Sequence, residues 1–406
     1  MGKTSVVTGL EIGRTKLRMV AGEVSDSEFN LLCASEVNCL DGIKNGIVIN
    51  LDKVTEAITA LLEDVHQKID RKISSVFVNI GGINIKQEIV NSVITLPQRG
   101  CEITKRNIDS LVESCRIVSV PLDRHLLYIM PVEYIVDGQD EIRDPVGLCG
   151  ARLEAKILII TAPFNHVQNL TKAVNYSGLE IEDIALTPLA NALSVLTEEE
   201  RKKGALLIDF KTDMTELAVI TNGSLAFFES LPIGQESVTN EMSSRLKIPY
   251  EFAQELKIKY GFLEGAQQDA RNNETIPMEW MGVRQNILRR DLNKTIYDQS
   301  EAIFTAVSEK LKDIKNFSNI IKRGAVITGG AVYMEGFLEN AIQRFGFTAR
   351  LGIIQSRTER PGNEYATPAG LTFMAFNKRL TGRMKPEANF FKKMYQKADA
   401  ILTEYF

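Results

Sequence analysis

The sequence predicts an α/β protein of two lobes, with a separate α+β unit inserted into the first. Three observations lead there. Strand-like and amphipathic helical runs alternate along most of the chain. Between about residues 83 and 160 the texture changes to alternating strands around one capped helix. At 406 residues the chain is too long for one simple core, so two or three subdomains are expected.

The elements follow in order. "SVVTGLEIGRTKLRMVAGEV" reads as two strands around the turn "EIGRT", and "FNLLCASEV" as a third. A helix fits Lys53 to Gln67, with Val54, Ile58, Leu61, Leu62 and Val65 on one face. "SSVFVNIGG" is a buried strand ending in glycines, completing half of a doubly wound domain. In the insert, "QEIVNSVITLP" precedes a helix capped by Thr104, and "LLYIMPVEYIVDG" and "LEAKILIITAP" follow. Helix and strand alternate again through "NHVQNLTKAVNYSG" and "IEDIALTPLANALSVL". In "ALLIDFKTDMTELAVI" two apolar runs flank "FKTDMT" as a hairpin, and "SLAFFES" follows the turn "TNG". The stretch Arg284 to Phe317 reads as long and helical, and "RGAVITGGAVYMEGFLENAIQRFG" as strand, glycine turn and helix. From Met384 a short linker leads to an isolated helix. The expected divisions are residues 1–82, 83–162, 163–203, 204–383 and 384–406.

Bulk properties narrow the partners. The chain is 44% hydrophobic and 25% charged with a net charge of −4 and no long basic run, which argues against nucleic acid. No apolar run approaches the roughly 18–20 residues that cross a bilayer, and "MGKTSVVTGLEIG" carries no secretory signal. Five cysteines without a CxxC pair suit a reduced, cytosolic protein. His66, His125 and His166 have no metal-ligand spacing.

Two glycine motifs invite a nucleotide reading. "GKTS" at Gly2 to Ser5 lacks the upstream glycine and strand of a phosphate loop and is set aside. "VITGGAVYMEG" lets the backbone approach a flat ligand where a strand gives way to a helix. Taken in order, "LEIGRTKLR", "LLIDFKTDMTELAVI" and "VITGGAVYMEGF" resemble the phosphate-1, phosphate-2 and adenosine motifs of actin-like ATPases. The chain more specifically resembles the bacterial cell-division FtsA family. "RHLLYIMPVEYIVDGQDEIRDPVGLCGARLEAKILIITA" is similar to that family's DGQ and DPVG signature, and "GIKNGIVINLDKVTEAI", "LTPLANALSVL", "LPIGQESVTNEMSSRL" and "ELKIKYG" match in register.

The resemblance implies an actin-like (ribonuclease H-like) two-lobed fold in which residues 83–162 form the family's 1C domain. It implies ATP and Mg2+ as ligands, held by Gly13, Thr15, Lys16, Asp209, Thr215, Gln254, Lys257, Gly329, Gly330 and Met334, with Glu11 and Asp209 at the metal. It implies self-association through 1C and the second lobe, and a place on the cytoplasmic face of the inner membrane at the division site. The FtsZ carboxyl-terminal peptide is expected on residues 234–317, where Arg284, Arg289 and Arg290 are candidates.

The chain departs from the pattern where phosphates would sit. The family's Asp is Glu11 here, and its small Ser or Thr is Arg14. All three glycines of the DIGGGTTD-like motif are replaced in Asp209-Phe210-Lys211-Thr212-Asp213-Met214-Thr215-Glu216. A side chain forced into the left-handed region costs roughly 1–2 kcal/mol, and Asp213 adds a like charge that Lys211 offsets. Gln254 stands where the family has Glu, and keeps only neutral hydrogen bonding. These changes favour an adaptor with weak or lost ATP binding over the alternative, an active ATPase with nucleotide-switched filaments. A small-molecule kinase lacks a recognisable substrate-base motif.

The last segment, "NFFKKMYQKADAILTEYF", is amphipathic. At about 100° per residue, Phe390, Phe391, Met394, Tyr395, Ala398, Ile401, Leu402, Tyr405 and Phe406 share one arc of about 160°. Such a terminal helix, with aromatics at both ends, suits a lipid surface. Members of the resembled family end this way.

Overall fold

The computed structural model describes residues 5–25, 28–96, 100–263, 270–280, 283–314, 317–355 and 361–381. The linker and terminal helix expected from Met384, including Phe390, Phe391, Met394, Tyr395, Ile401, Leu402, Tyr405 and Phe406, lie outside the described residues.

Two five-stranded sheets organise the lobes, and they share one topology. In the first, Ser5–Ile12, Lys16–Ser25 and Glu28–Asn38 form an antiparallel meander. Ser75–Ile80 then joins the other edge of the first strand in parallel, followed by Glu180–Leu186. In the second, Ala205–Phe210, Thr215–Thr221 and Ser224–Leu231 repeat the meander. Ala325–Thr328 and Ala349–Leu351 repeat the parallel pair. Parallel strands need crossovers, and helices supply them. Strands in the middle of both sheets are buried on both faces and therefore read as continuous apolar runs.

Leu51–Ile69 covers one face of the first sheet with Val54, Ala57, Ile58, Leu61 and Val65. Asn50 starts this helix by accepting from the Lys53 amide, and Asp70 ends it in the left-handed region. The opposite face receives Thr187–Val195 and Ala366–Thr381, where Ala190, Leu371 and Ala375 pack on Val7, Phe77 and Ala185. The chain thus returns to the first lobe after building the second.

The insert is a four-stranded antiparallel sheet ordered Gln139–Ile142, Arg124–Val136, Arg152–Pro163 and Lys86–Thr95. Lys105–Ser119 packs against it, and Thr104 forms a capping box with Asn107.

In the second lobe, Gln235–Leu246, Tyr250–Tyr260, Arg289–Lys312 and Phe337–Phe345 surround the sheet. The expectation of helix from Arg284 onward needs correction. Thr275–Trp280 and Val283–Leu288 form an antiparallel hairpin, and the helix begins only at Arg289. Ile276, Met278 and Ile287 bury one face of this hairpin, the two-residue period of a strand pair.

Candidate functional site

A cavity of about 790 Å3 lies between the lobes. Its walls come from the turn after Ser5–Ile12, the turn after Ala205–Phe210, the helix Tyr250–Tyr260 and the glycine turn after Ala325–Thr328. Gly13, Thr15, Lys16, Glu11, Asp209, Gln254, Lys257, Gly329, Gly330 and Met334 are all brought to it. Thr215 is not: it is fully buried, and its hydroxyl donates to the Ile233 carbonyl at 2.8 Å.

The cations that line the cavity are all committed. Lys16 is paired with Glu36. Arg18 reaches both Glu36, at 3.0 Å, and Glu11, at 3.4 Å. Arg14 crosses the cleft to Glu236 at 3.3 Å. Lys211 Nζ donates to Glu216 Oε2 at 2.7 Å and lies 3.7 Å from Asp209 Oδ2. Lys257 Nζ donates to Thr239 Oγ1 at 2.7 Å and to the Gln235 carbonyl at 3.2 Å. Gln254 is also engaged, its Oε1 accepting from Thr239 at 2.8 Å.

Burial governs the protonation of the cleft floor. It pushes the Asp209 carboxyl up to about 6; Lys211 and Asn191 oppose the rise, while Glu216 and Glu11 add to it. Burial also acts to lower the Lys211 ammonium, but Glu216, Asp209 and Glu11 prevail and hold it protonated. Lys257 has no such carboxylate partner, and burial brings it down to about 8.

The loop that replaces the glycines folds without the backbone strain expected for it. None of Lys211, Thr212, Asp213 or Met214 has a positive φ. The Lys211 amide donates to the Met214 carbonyl at 3.0 Å, closing a turn in ordinary conformations. The carbonyls of Lys211 and Thr212 accept from the Gln235 and Glu236 amides at the start of Gln235–Leu246. A helix N-terminus that could face an anion is thereby occupied by the loop. Gly234 permits this approach, since a Cβ there would lie 2.6 Å from both the Thr212 carbonyl oxygen and the Met214 nitrogen.

Asp213 lines the cavity, and its Oδ1 is buried with no hydrogen-bond partner among the described residues. Its Oδ2 accepts from the Asn45 amide of the first lobe at 2.5 Å. The glycine turn on the far wall has the shape foreseen: Gly329 has φ +98°, and a Cβ there would lie 2.3 Å from the Phe210 carbonyl oxygen.

Mg2+ and a polyphosphate do not fit this arrangement. Asp209 and Glu216 already share a lysine ammonium, and Glu11 is held by Arg18. Among the described residues no three His, Cys, Asp or Glu side chains form a group that could hold a metal. All five cysteines are free.

Glu216, Asn191 and Glu236 were not singled out from the sequence. The hairpin register was the available signal, because it sets Asp209 directly opposite Glu216. Like charges in that position are unfavourable unless a cation intervenes, and Lys211 is the nearby lysine.

The three arginines expected to meet a partner divide. Arg284 stands on the hairpin, 83% exposed, beside Glu279. Arg290 is exposed as well, 3.7 Å from Asp291. Arg289 is spent within the fold: it donates to the Tyr260 carbonyl at 3.1 Å and to Glu274 at 2.6 Å, over the Phe262 ring.

Comparison with known proteins places this geometry in a family. The profile "SHS2 domain inserted in FTSA" matches residues 66–161, and "Cell division protein FtsA" matches residues 206–370. The Pseudomonas aeruginosa cell division protein FtsA is 30% identical over 93% of this chain and 91% of its own length. The Enterococcus hirae protein of the same name is 30% identical over 86% of this chain and 79% of its own. Among solved structures, the PilM-PilN type IV pilus biogenesis complex superposes with a TM-score of 0.64 at 14% identity, covering 91% of this chain and 98% of that one. MreB5 of Spiroplasma citri bound to ADP superposes with a TM-score of 0.56 at 11% identity, covering 92% and 98%. At such identities the likeness establishes the actin-like fold and nothing finer. The chain belongs to the FtsA family of cell-division proteins.

Proposed function

We propose that this protein is an adaptor of cell division that polymerises on the cytoplasmic face of the inner membrane, at the division site, and ties FtsZ filaments to it with weak or lost ATP binding and hydrolysis. Family membership supports the division role. One observation carries the nucleotide part: Lys211, at a former glycine position, lies between Asp209 and Glu216 where phosphate and metal would be received.

Calorimetry with ATP and Mg2+ tests that part, and micromolar binding with steady phosphate release overturns it in favour of the nucleotide-switched ATPase. Residual adenosine-side binding would depend on Gly329, Gly330 and Lys257.

Membrane attachment is assigned to residues 390–406. Among the described residues no helix is long and apolar enough to cross a membrane. As a helix, about 17 residues would span roughly 25 Å, long enough to lie flat on a bilayer, and each buried Phe or Leu would contribute on the order of 1.5–3 kcal/mol. Deleting the segment, or changing Phe391 and Leu402 to Glu, releases the folded protein from lipid vesicles. Undiminished vesicle binding by the folded deletion variant refutes this assignment. Polymerisation strengthens attachment by presenting many such helices at once.

The FtsZ peptide is assigned to the outer part of the second lobe. Arg284 and Arg290 are the available contacts, with Arg289 shaping the surface from within. Peptide affinity unchanged by Arg284→Glu together with Arg290→Glu removes both from the interface.

A further inference from the structure

We propose that the Lys211 ammonium is a built-in substitute for a divalent cation at the cleft floor, and that it holds the two lobes closed with no ligand bound. The inference deepens the nucleotide part of the reading above, and it can fail while that part stands.

Asp209 and Glu216 face each other across the hairpin, and their side chains are 7% and 1% exposed. Two carboxylates so placed repel, and burial removes the water that would screen them. A cation between them is therefore a condition of the closed fold. Lys211 supplies it from the adjacent turn, itself only 17% exposed. A lysine attached to the chain cannot diffuse away, so no ordering of a free ion is needed.

The same two carboxylates carry the contacts that cross the cleft. Glu216 Oε1 accepts from the Gly82 amide of the first lobe at 3.2 Å. Asp209 Oδ2 accepts from Asn191 Nδ2, also of the first lobe, at 2.9 Å. Asn191 is fixed in turn by the Thr367 hydroxyl, which donates to its Oδ1 at 2.8 Å. Two residues beyond Lys211, Asp213 accepts from the Asn45 amide of the first lobe. Asp209 and Glu216 thus join hairpin to opposite lobe, and the Lys211 ammonium between them offsets their mutual repulsion. A divalent ion arriving at this place meets an ammonium already seated.

Replacing Lys211 should therefore create a metal site and loosen the lobes together. Binding of Mn2+ alone, read by electron paramagnetic resonance on the full chain, should be at least tenfold tighter in Lys211→Ala than in the parent. Hydrogen exchange at the Asn45 and Gly82 amides should accelerate at least tenfold in Lys211→Ala and slow again when Mn2+ is added. Lys211→Arg, which keeps a cation, should match the parent in both measurements. If Lys211→Ala does not fold, Lys211→Met combined with Glu216→Gln, which removes the like-charge repulsion together with the lysine and keeps an acceptor for the Gly82 amide, should fold and protect both amides as the parent does; fast exchange in that variant overturns the closure. A parent that binds Mn2+ as tightly as the variant overturns the substitution. Amides in folded Lys211→Ala that remain as protected as in the parent overturn the closure.

Discussion

The two hairpins that meet at the cleft hold equivalent places in sheets of the same topology, yet they settle their charges differently. In the first lobe Glu11 is directly opposite Arg18, so the strand pairing itself neutralises the acid. The turn between those strands, Gly13 to Thr15, is free to send Arg14 across to Glu236. In the second lobe Asp209 is opposite Glu216, acid against acid, and the turn must supply the cation. The first hairpin can lose a member of its network and still balance, because Arg18 also holds Glu36. The second has one lysine for two buried carboxylates. Position in a fold therefore does not determine how a loop is used: the same place holds a tolerant charge network in one lobe and a tightly constrained one in the other.

The largest expected effect breaks this asymmetry directly. Glu216→Ala leaves a buried ammonium with a single, more distant partner and removes the Gly82 acceptor, and it should cost about 3–5 kcal/mol. Glu11→Ala should cost about 1 kcal/mol, as the part-exposed Arg18 keeps Glu36. Urea unfolding of both variants gives the ratio, and equal losses would dissolve the contrast between the hairpins.

Next comes the wall behind the second hairpin. Gly329→Ala combines a left-handed backbone with a Cβ driven against the Phe210 carbonyl, and should cost roughly 2 kcal/mol or more. Gly330→Ala meets nothing within 4 Å and should change stability by less than about 0.5 kcal/mol. Thermal unfolding of the two single variants checks this difference.

A smaller effect concerns the lysine without a carboxylate partner. The folded-state value of Lys257, about 8, lies below its unfolded value. Between the two the unfolded chain binds more protons, so the parent gains stability as pH rises from about 8 toward 10. The uncharged Lys257→Met does not share that gain. Its stability relative to the parent should fall by about 1–2 kcal/mol between pH 7 and pH 10, as followed by denaturant unfolding. A relative stability independent of pH would show that Lys257 is not desolvated.

The smallest effect is expected at the cleft edge. Arg14→Ala removes a half-buried pair with Glu236 and should cost under about 1 kcal/mol, diminishing with added salt.

Much of the fold was legible because its signals are local. The face of Leu51–Ile69 and the Thr104 cap are written in adjacent residues, and the apolar runs mark buried strands. The hairpin before Arg289 was missed because Leu288 offers no capping side chain, so nothing in the sequence halts the helical pattern there. The composition of the cleft was legible through its motifs, but its pairings were not. Asn191 meets Asp209, Asn45 meets Asp213 and Arg14 meets Glu236 only after both lobes have folded. The loss of three glycines suggested a strained backbone; the actual consequence is a relaxed turn whose carbonyls stop a helix end.

The return of the chain to the first lobe has a mechanical consequence. Ala366–Thr381, the last described element, lies across the sheet with Leu371 and Ala375 against Val7 and Phe77. A pull on the chain beyond Thr381 enters the protein through this helix and passes to the first-lobe strands on which it packs. If the filament partner docks on the second lobe as proposed above, that lobe is the other point at which force enters. Tension between membrane and filament would therefore run through the cleft, and the contacts of Asp209, Asp213 and Glu216 would bear it.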